Sequence, residues 1–160
     1  MKIKILLSLF VICVCSCAST IPSLLQLPAG DGTMNFFPAT NWKGSNSVNL
    51  AKVDITYITE RNQPAAINIS FFGKKTTPRK VSSVFLKGEG IVYPLTIMKT
   101  LYANSRNREL RISTEGDRNL LPNLLKAPPF TLIAEIDGVQ YTFTPEKNFS
   151  ILVDDFLVIF

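Results

Sequence analysis

Apolar residues return at every second position along most of this chain, in short blocks set off by turn residues, and that period commits it to β-strands. Val53, Ile55 and Tyr57 alternate with Asp54 and Thr56, and Ile67, Ile69 and Phe71 alternate with Asn68 and Ser70. Asn62-Gln63-Pro64 and the loop over 73–78 supply the turns around the second block. Val84 and Leu86 mark a strand ending at Gly88-Glu89-Gly90. Residues 91–98 form another, in which Pro94 requires an edge position or a bulge. Residues 104–107 turn the chain, and Leu110 and Ile112 lie in the next strand. Residues 34–47, with Phe36-Phe37-Pro38 and Trp42, read as an irregular segment with one edge strand. Seven or so strands at this spacing predict a mainly β fold: an antiparallel β-sandwich, Ig-like or barrel-like, with one or two short helices.

The hairpin over 130–144 has the most determined register. Asp137-Gly138 is a two-residue turn signal, because both residues tolerate the positive φ that such a turn needs. Ile136 then pairs with Val139, Ala134 with Tyr141 and Leu132 with Phe143, all facing the core. Glu135–Gln140, Ile133–Thr142 and Thr131–Thr144 occupy the other face, and a one-residue slip would put Tyr141 and Phe143 in water. Helical spacing appears twice. Leu120, Leu121, Leu124 and Leu125 predict a short helix that Ala127-Pro128-Pro129 ends. Phe149, Leu152, Val153 and Phe156 fit an amphipathic helix over 148–155 followed by an extended end.

The N-terminus is not part of this domain. Met1-Lys2-Ile3-Lys4 is a short basic segment, and the apolar run from Ile5 to Val14 is too short to span a bilayer comfortably. Val14-Cys15-Ser16-Cys17 resembles the bacterial lipobox, with an aliphatic residue at −3, a small one at −1 and cysteine at +1. That resemblance implies a signal peptide over 1–16 and a lipidated N-terminus at Cys17. Ordinary cleavage after Ala18 is the rival reading. A short tether over 17–33 and a single domain over 34–160 follow. Ala18 at +2, where the resemblance makes aspartate the inner-membrane retention signal, points to the outer membrane. The short Leu-rich helix, the Asp137-Gly138 hairpin and the Phe149-led final segment together resemble small periplasmic β-sandwich proteins, among them the invasion-associated locus B family. The chain departs from that family in lacking its core cysteines, since Cys13, Cys15 and Cys17 are the only three.

The chemistry of the side chains excludes more than it assigns. There is no histidine, which removes Ser-His-Asp and Cys-His mechanisms and most zinc sites. Asp154-Asp155 is the only adjacent carboxylate pair, and neighbours on a helix point apart. Glu115-Gly116-Asp117 has no further oxygen ligands at calcium-site spacing. Gly88-Glu89-Gly90 is followed by neither the Lys-Ser/Thr nor the helix of a phosphate loop. No catalytic, cofactor or metal site is therefore expected, and the chain reads as non-enzymatic.

Charge is distributed unevenly. Residues 74–111 hold nine basic and two acidic side chains, net +7, whereas 112–160 hold three basic and seven acidic, net −4. Lys74, Lys75, Arg79 and Lys80, joined by Arg106, Arg108 and Arg111, form the one candidate patch for an anionic partner. For an exported protein that partner is an envelope protein or an anionic envelope polymer, not nucleic acid, and the membrane itself is met through lipidated Cys17. Two functions stay open: a non-enzymatic interaction or accessory module of the cell envelope, and a small apolar-ligand carrier with a cavity between its sheets, suggested by eleven Phe.

Overall fold

A computed structural model describes residues 23–44, 48–58, 63–117, 123 and 130–157. They form nine strands and a C-terminal helix. In chain order these are β1 (Leu25–Ala29), β2 (Gly32–Gly44), β3 (Val48–Ile58), β4 (Ala65–Gly73), β5 (Val81–Gly88), β6 (Ile91–Asn104), β7 (Glu109–Gly116), β8 (Thr131–Ile136), β9 (Val139–Pro145) and α1 (Lys147–Leu157). Every pairing is antiparallel, in the order β1-β2-β3-β4-β7-β6-β5-β8-β9. A further contact of β2 with β9 closes the last eight of these into a barrel. The mainly β expectation holds, and its barrel-like form is the one observed: the sheet closes on itself where two packed sheets would stay separate.

Closure rests on few residues. Trp42, Lys43 and Gly44 of β2 pair with Pro145, Thr144 and Phe143 of β9. Beyond that point β1 takes over the same edge of β2, with Leu25 opposite Phe36 and Ala29 opposite Gly32. Strands must bend to close a barrel, and bulges do this. β2 carries one between Phe37 and Thr40, where Pro38 needs no ladder partner. The segment expected to be irregular is thus a 13-residue strand, because its proline falls at the bulge. β6 carries two more, at Met98 and at Leu101. Pro94 lies before the stretch of β6 that pairs with β7, on a locally one-sided strand, as its presence demands.

One row of side chains per strand fills the interior. Ile55, Ile67 and Thr114 lie side by side in the register, as do Val53, Ile69 and Ile112, and Ala51, Phe71 and Leu110. All are buried. The rings of Phe71 and Phe143, on strands that do not pair, meet across the lumen at 5.4 Å between centroids. Where β9 ends, α1 lays Phe149, Leu152 and Val153 inward. Phe149 packs edge-on against Trp42 and Phe130, with centroids 4.9 and 5.4 Å away. This agrees with the helical spacing read for the tail, although the helix runs to Leu157, past the 155 expected, and residues 158–160 lie outside the described residues. The Leu-rich helix expected near 120–125 lies outside the described residues, apart from Asn123.

The β8–β9 register is the predicted one, pair for pair from Leu132–Phe143 to Ile136–Val139. Asp137 and Gly138 have φ of 52° and 80°, the double positive φ of a tight hairpin turn. Val139 is the exception to the predicted burial: it is 48 % exposed. β2 stops at Gly44, opposite Phe143, so Val139 projects past the last strand able to cover it.

Candidate functional site

Three described connections gather at one end of the barrel: the β4–β5 segment 74–80, the β6–β7 turn 105–108 and the β8–β9 turn. Together they carry Lys74, Lys75, Arg79, Lys80, Arg106 and Arg108 against a single acid, Asp137. All six cations are exposed. At the opposite end the described connections and α1 carry Asp31, Glu89, Asp117, Glu146, Asp154 and Asp155 against Lys147. The uneven charge along the sequence is therefore a polarity along the barrel.

The basic segments are held in place by backbone bonds. Residues 74–80 cross the barrel end as a strap, since β5 lies three strands from β4 in the sheet. Gly73 anchors the start of the strap. Its amide donates to the Arg108 carbonyl at 2.9 Å, and the Arg108 guanidinium donates to the Lys74 carbonyl. A Cβ on Gly73 would sit 1.8 Å from the Thr76 carbonyl oxygen, so only glycine allows the strap to fold back this tightly. Asp137 anchors the other end. Its carboxylate accepts from the Arg79 amide at 3.1 Å and the Lys80 amide at 2.9 Å, while its own amide donates to the Lys80 carbonyl at 2.9 Å. In the β6–β7 turn the Asn104 side chain accepts from the amides of Arg106 and Asn107, which fixes the turn beside the strap. The one acid on these three connections is thus hydrogen-bonded to backbone amides, and a single carboxylate faces six exposed cations.

A hollow of about 290 Å³ opens between the strap and the β8–β9 hairpin, lined by Gly73, Lys74, Lys75, Thr76, Pro78, Ile136, Asp137 and Tyr141. Of the residues expected to form a patch, Lys74, Lys75, Arg79, Lys80, Arg106 and Arg108 share this barrel end. Arg111 does not join them. It lies on the outer wall of β7, where its guanidinium meets the Asp54 carboxylate and donates to Ser70 Oγ at 2.8 Å. Asp54, only 3 % exposed, also accepts from Asn68 at 2.8 Å. Along the same wall the Tyr102 hydroxyl donates to Glu109 at 2.8 Å, a bond that raises the Tyr102 pKa. The cluster therefore loses Arg111 to an internal ion pair. The roles of Asp137 and Gly73 were not read from the sequence. The sequence marks Asp137 only as a turn residue, and its one hint for Gly73 is the place directly before two lysines.

Cys17, the expected lipidation site, lies outside the described residues. Among the described residues no group of three or more Cys, Asp or Glu side chains is placed to hold a metal ion, and no helix is long and apolar enough to cross a membrane. Compared with protein-family models, curated proteins and solved structures, the chain shows no match.

Proposed function

We propose that this is a lipid-anchored cell-envelope protein, tethered through Cys17, that binds an anionic envelope polymer or acidic protein face at the basic end of its barrel and catalyses no reaction. The observation that carries this reading is the set of six cations on three connections whose only acid is occupied by backbone amides. Field lines from clustered like charges add, so the barrel end attracts polyanions before any specific contact is made. The strap and turn hold the cations on a backbone fixed in advance, which lowers the entropy cost of binding. The lumen supports this reading over a carrier. Phe71 meets Phe143 across it, and Trp42, Phe130 and Phe149 fill the level of α1. Lipid attachment at the outer membrane is the part of the reading drawn from Val14-Cys15-Ser16-Cys17 and Ala18.

The test is a titration of the full chain, in neutral detergent, with poly-glutamate and with polyphosphate over a salt series. Binding that weakens steeply as salt rises, and that is lost in a Lys74→Ala/Lys75→Ala/Arg79→Ala/Lys80→Ala variant, is the expected result. Affinity unchanged in that variant would refute the assignment.

A further inference from the structure

We infer that the hollow beneath the strap is a binding site for a small amphipathic anion, a phosphate or carboxylate attached directly to a compact apolar group. This rests on the basic end being a binding surface and adds the class of ligand that the hollow selects. Three features of the hollow define that class. Lys74, Lys75 and Thr76 line it and supply two ammonium groups and a hydroxyl as donors. Asp137 lines the hollow as well, but its carboxylate is turned onto the amides of Arg79 and Lys80. The floor is apolar: Pro78, Ile136 and the Tyr141 ring, all buried. A hydrated inorganic ion has no use for such a floor, whereas an aryl or branched-alkyl group would cover it.

Size sets the scale of the group that the hollow itself holds. At about 30 Å³ per water-sized group, a volume of 290 Å³ holds on the order of ten heavy atoms. That matches the size of an aryl phosphate. The hollow is also formed before any ligand arrives. One end of the strap is tied to Arg108 and the other to Asp137, and Gly73 lets the strap fold back on Thr76. Sites for small molecules have this composition: mostly apolar lining with a few fixed polar groups that set orientation.

Phenyl phosphate is the probe, with inorganic phosphate and phenol as its two halves. Each is titrated into the full chain in neutral detergent at one salt concentration, and amide chemical shifts of residues 73–80 and 136–141 are followed. Phenyl phosphate should bind at least about tenfold tighter than inorganic phosphate, the gain expected for covering a few apolar groups, and phenol should not bind measurably. In Lys74→Ala/Lys75→Ala both anions should weaken. In Gly73→Ala, which displaces the strap, the preference for phenyl phosphate should vanish while inorganic phosphate still binds. Equal affinities for the two anions in the unmodified chain would overturn this inference and leave the basic end as a purely electrostatic surface. Binding of polyphosphate without binding of either small anion would overturn it in the same way. Failure of all three anions would overturn the proposed function as well.

Discussion

Replacing Arg111 with Ala tests how the outer wall of the barrel is held. Asp54 is 3 % exposed, and its carboxylate has two side-chain donors, Arg111 and Asn68. The Arg111 side chain is itself only 21 % exposed, so this is not a surface pair. Truncation leaves a largely buried carboxylate with one amide donor and removes the Arg111 donor from Ser70. Breaking a buried pair from one side costs about 3–5 kcal/mol, because the surviving charge stays desolvated. Water entering the space vacated by the guanidinium places the expected loss at the lower bound, about 3 kcal/mol. Arg111→Lys keeps the charge but not the fork that reaches Asp54 and Ser70 together, so it should fall between the two. The assay is urea denaturation followed by Trp42 fluorescence, where about 3 kcal/mol moves the midpoint by roughly 1–3 M. The Asp54→Ala/Arg111→Ala double variant should be more stable than the summed single losses imply, by at least about 1 kcal/mol. A loss below about 1 kcal/mol for Arg111→Ala, the value of an exposed ion pair, would refute the reasoning.

Gly73→Ala should destabilise the chain by about 1–3 kcal/mol in the same melts, since its Cβ meets backbone and not a flexible side chain; a neutral result would mean the strap is not folded back on Thr76. Phe143→Ala should cost about 3–5 kcal/mol, while Thr142→Ala and exposed Val139→Ala should stay within about 0.5 kcal/mol; equal damage at positions 142 and 143 would contradict the hairpin register. Burial pushes the Tyr93 hydroxyl up to about 12, with Asp117 nearby adding to the rise. An acid whose folded pKa is raised gives its full stability below its unfolded value near 10 and loses it as pH rises through about 12. Alkaline unfolding should therefore begin above about pH 10, Tyr93→Phe should blunt it, and an unchanged alkaline profile in that variant would exclude Tyr93 as its source. Cys17→Ala should abolish metabolic labelling with a radioactive fatty acid and leave unprocessed precursor, whereas retained labelling would exclude that site.

What the sequence disclosed followed from how local each signal was. Asp137-Gly138 carries its own backbone preference, so the β8–β9 pairs could be written from it alone. Val139 escaped because its exposure depends on where β2 stops, about a hundred residues away. Closure of the barrel was illegible for the same reason. It depends on Trp42, Lys43 and Gly44 meeting Pro145, Thr144 and Phe143, and no period within either segment announces that meeting. Pro38 misled because proline argues against a strand unless a bulge receives it, and the bulge is visible only against β3. At the basic end the charges were plain in the sequence. Which of them was paired with an acid was not, because Arg111 looks like its neighbours until Asp54 is placed beside it.

The most direct test of the basic end as the binding surface is a map of amide shifts on the full chain as polyphosphate is added. Shifts should concentrate at residues 74–80 and 105–108, weaken as salt rises, and spare Lys52, Lys99, Arg111 and Lys147. Shifts spread evenly over all exposed lysines, or centred on the opposite end of the barrel, would contradict the assignment.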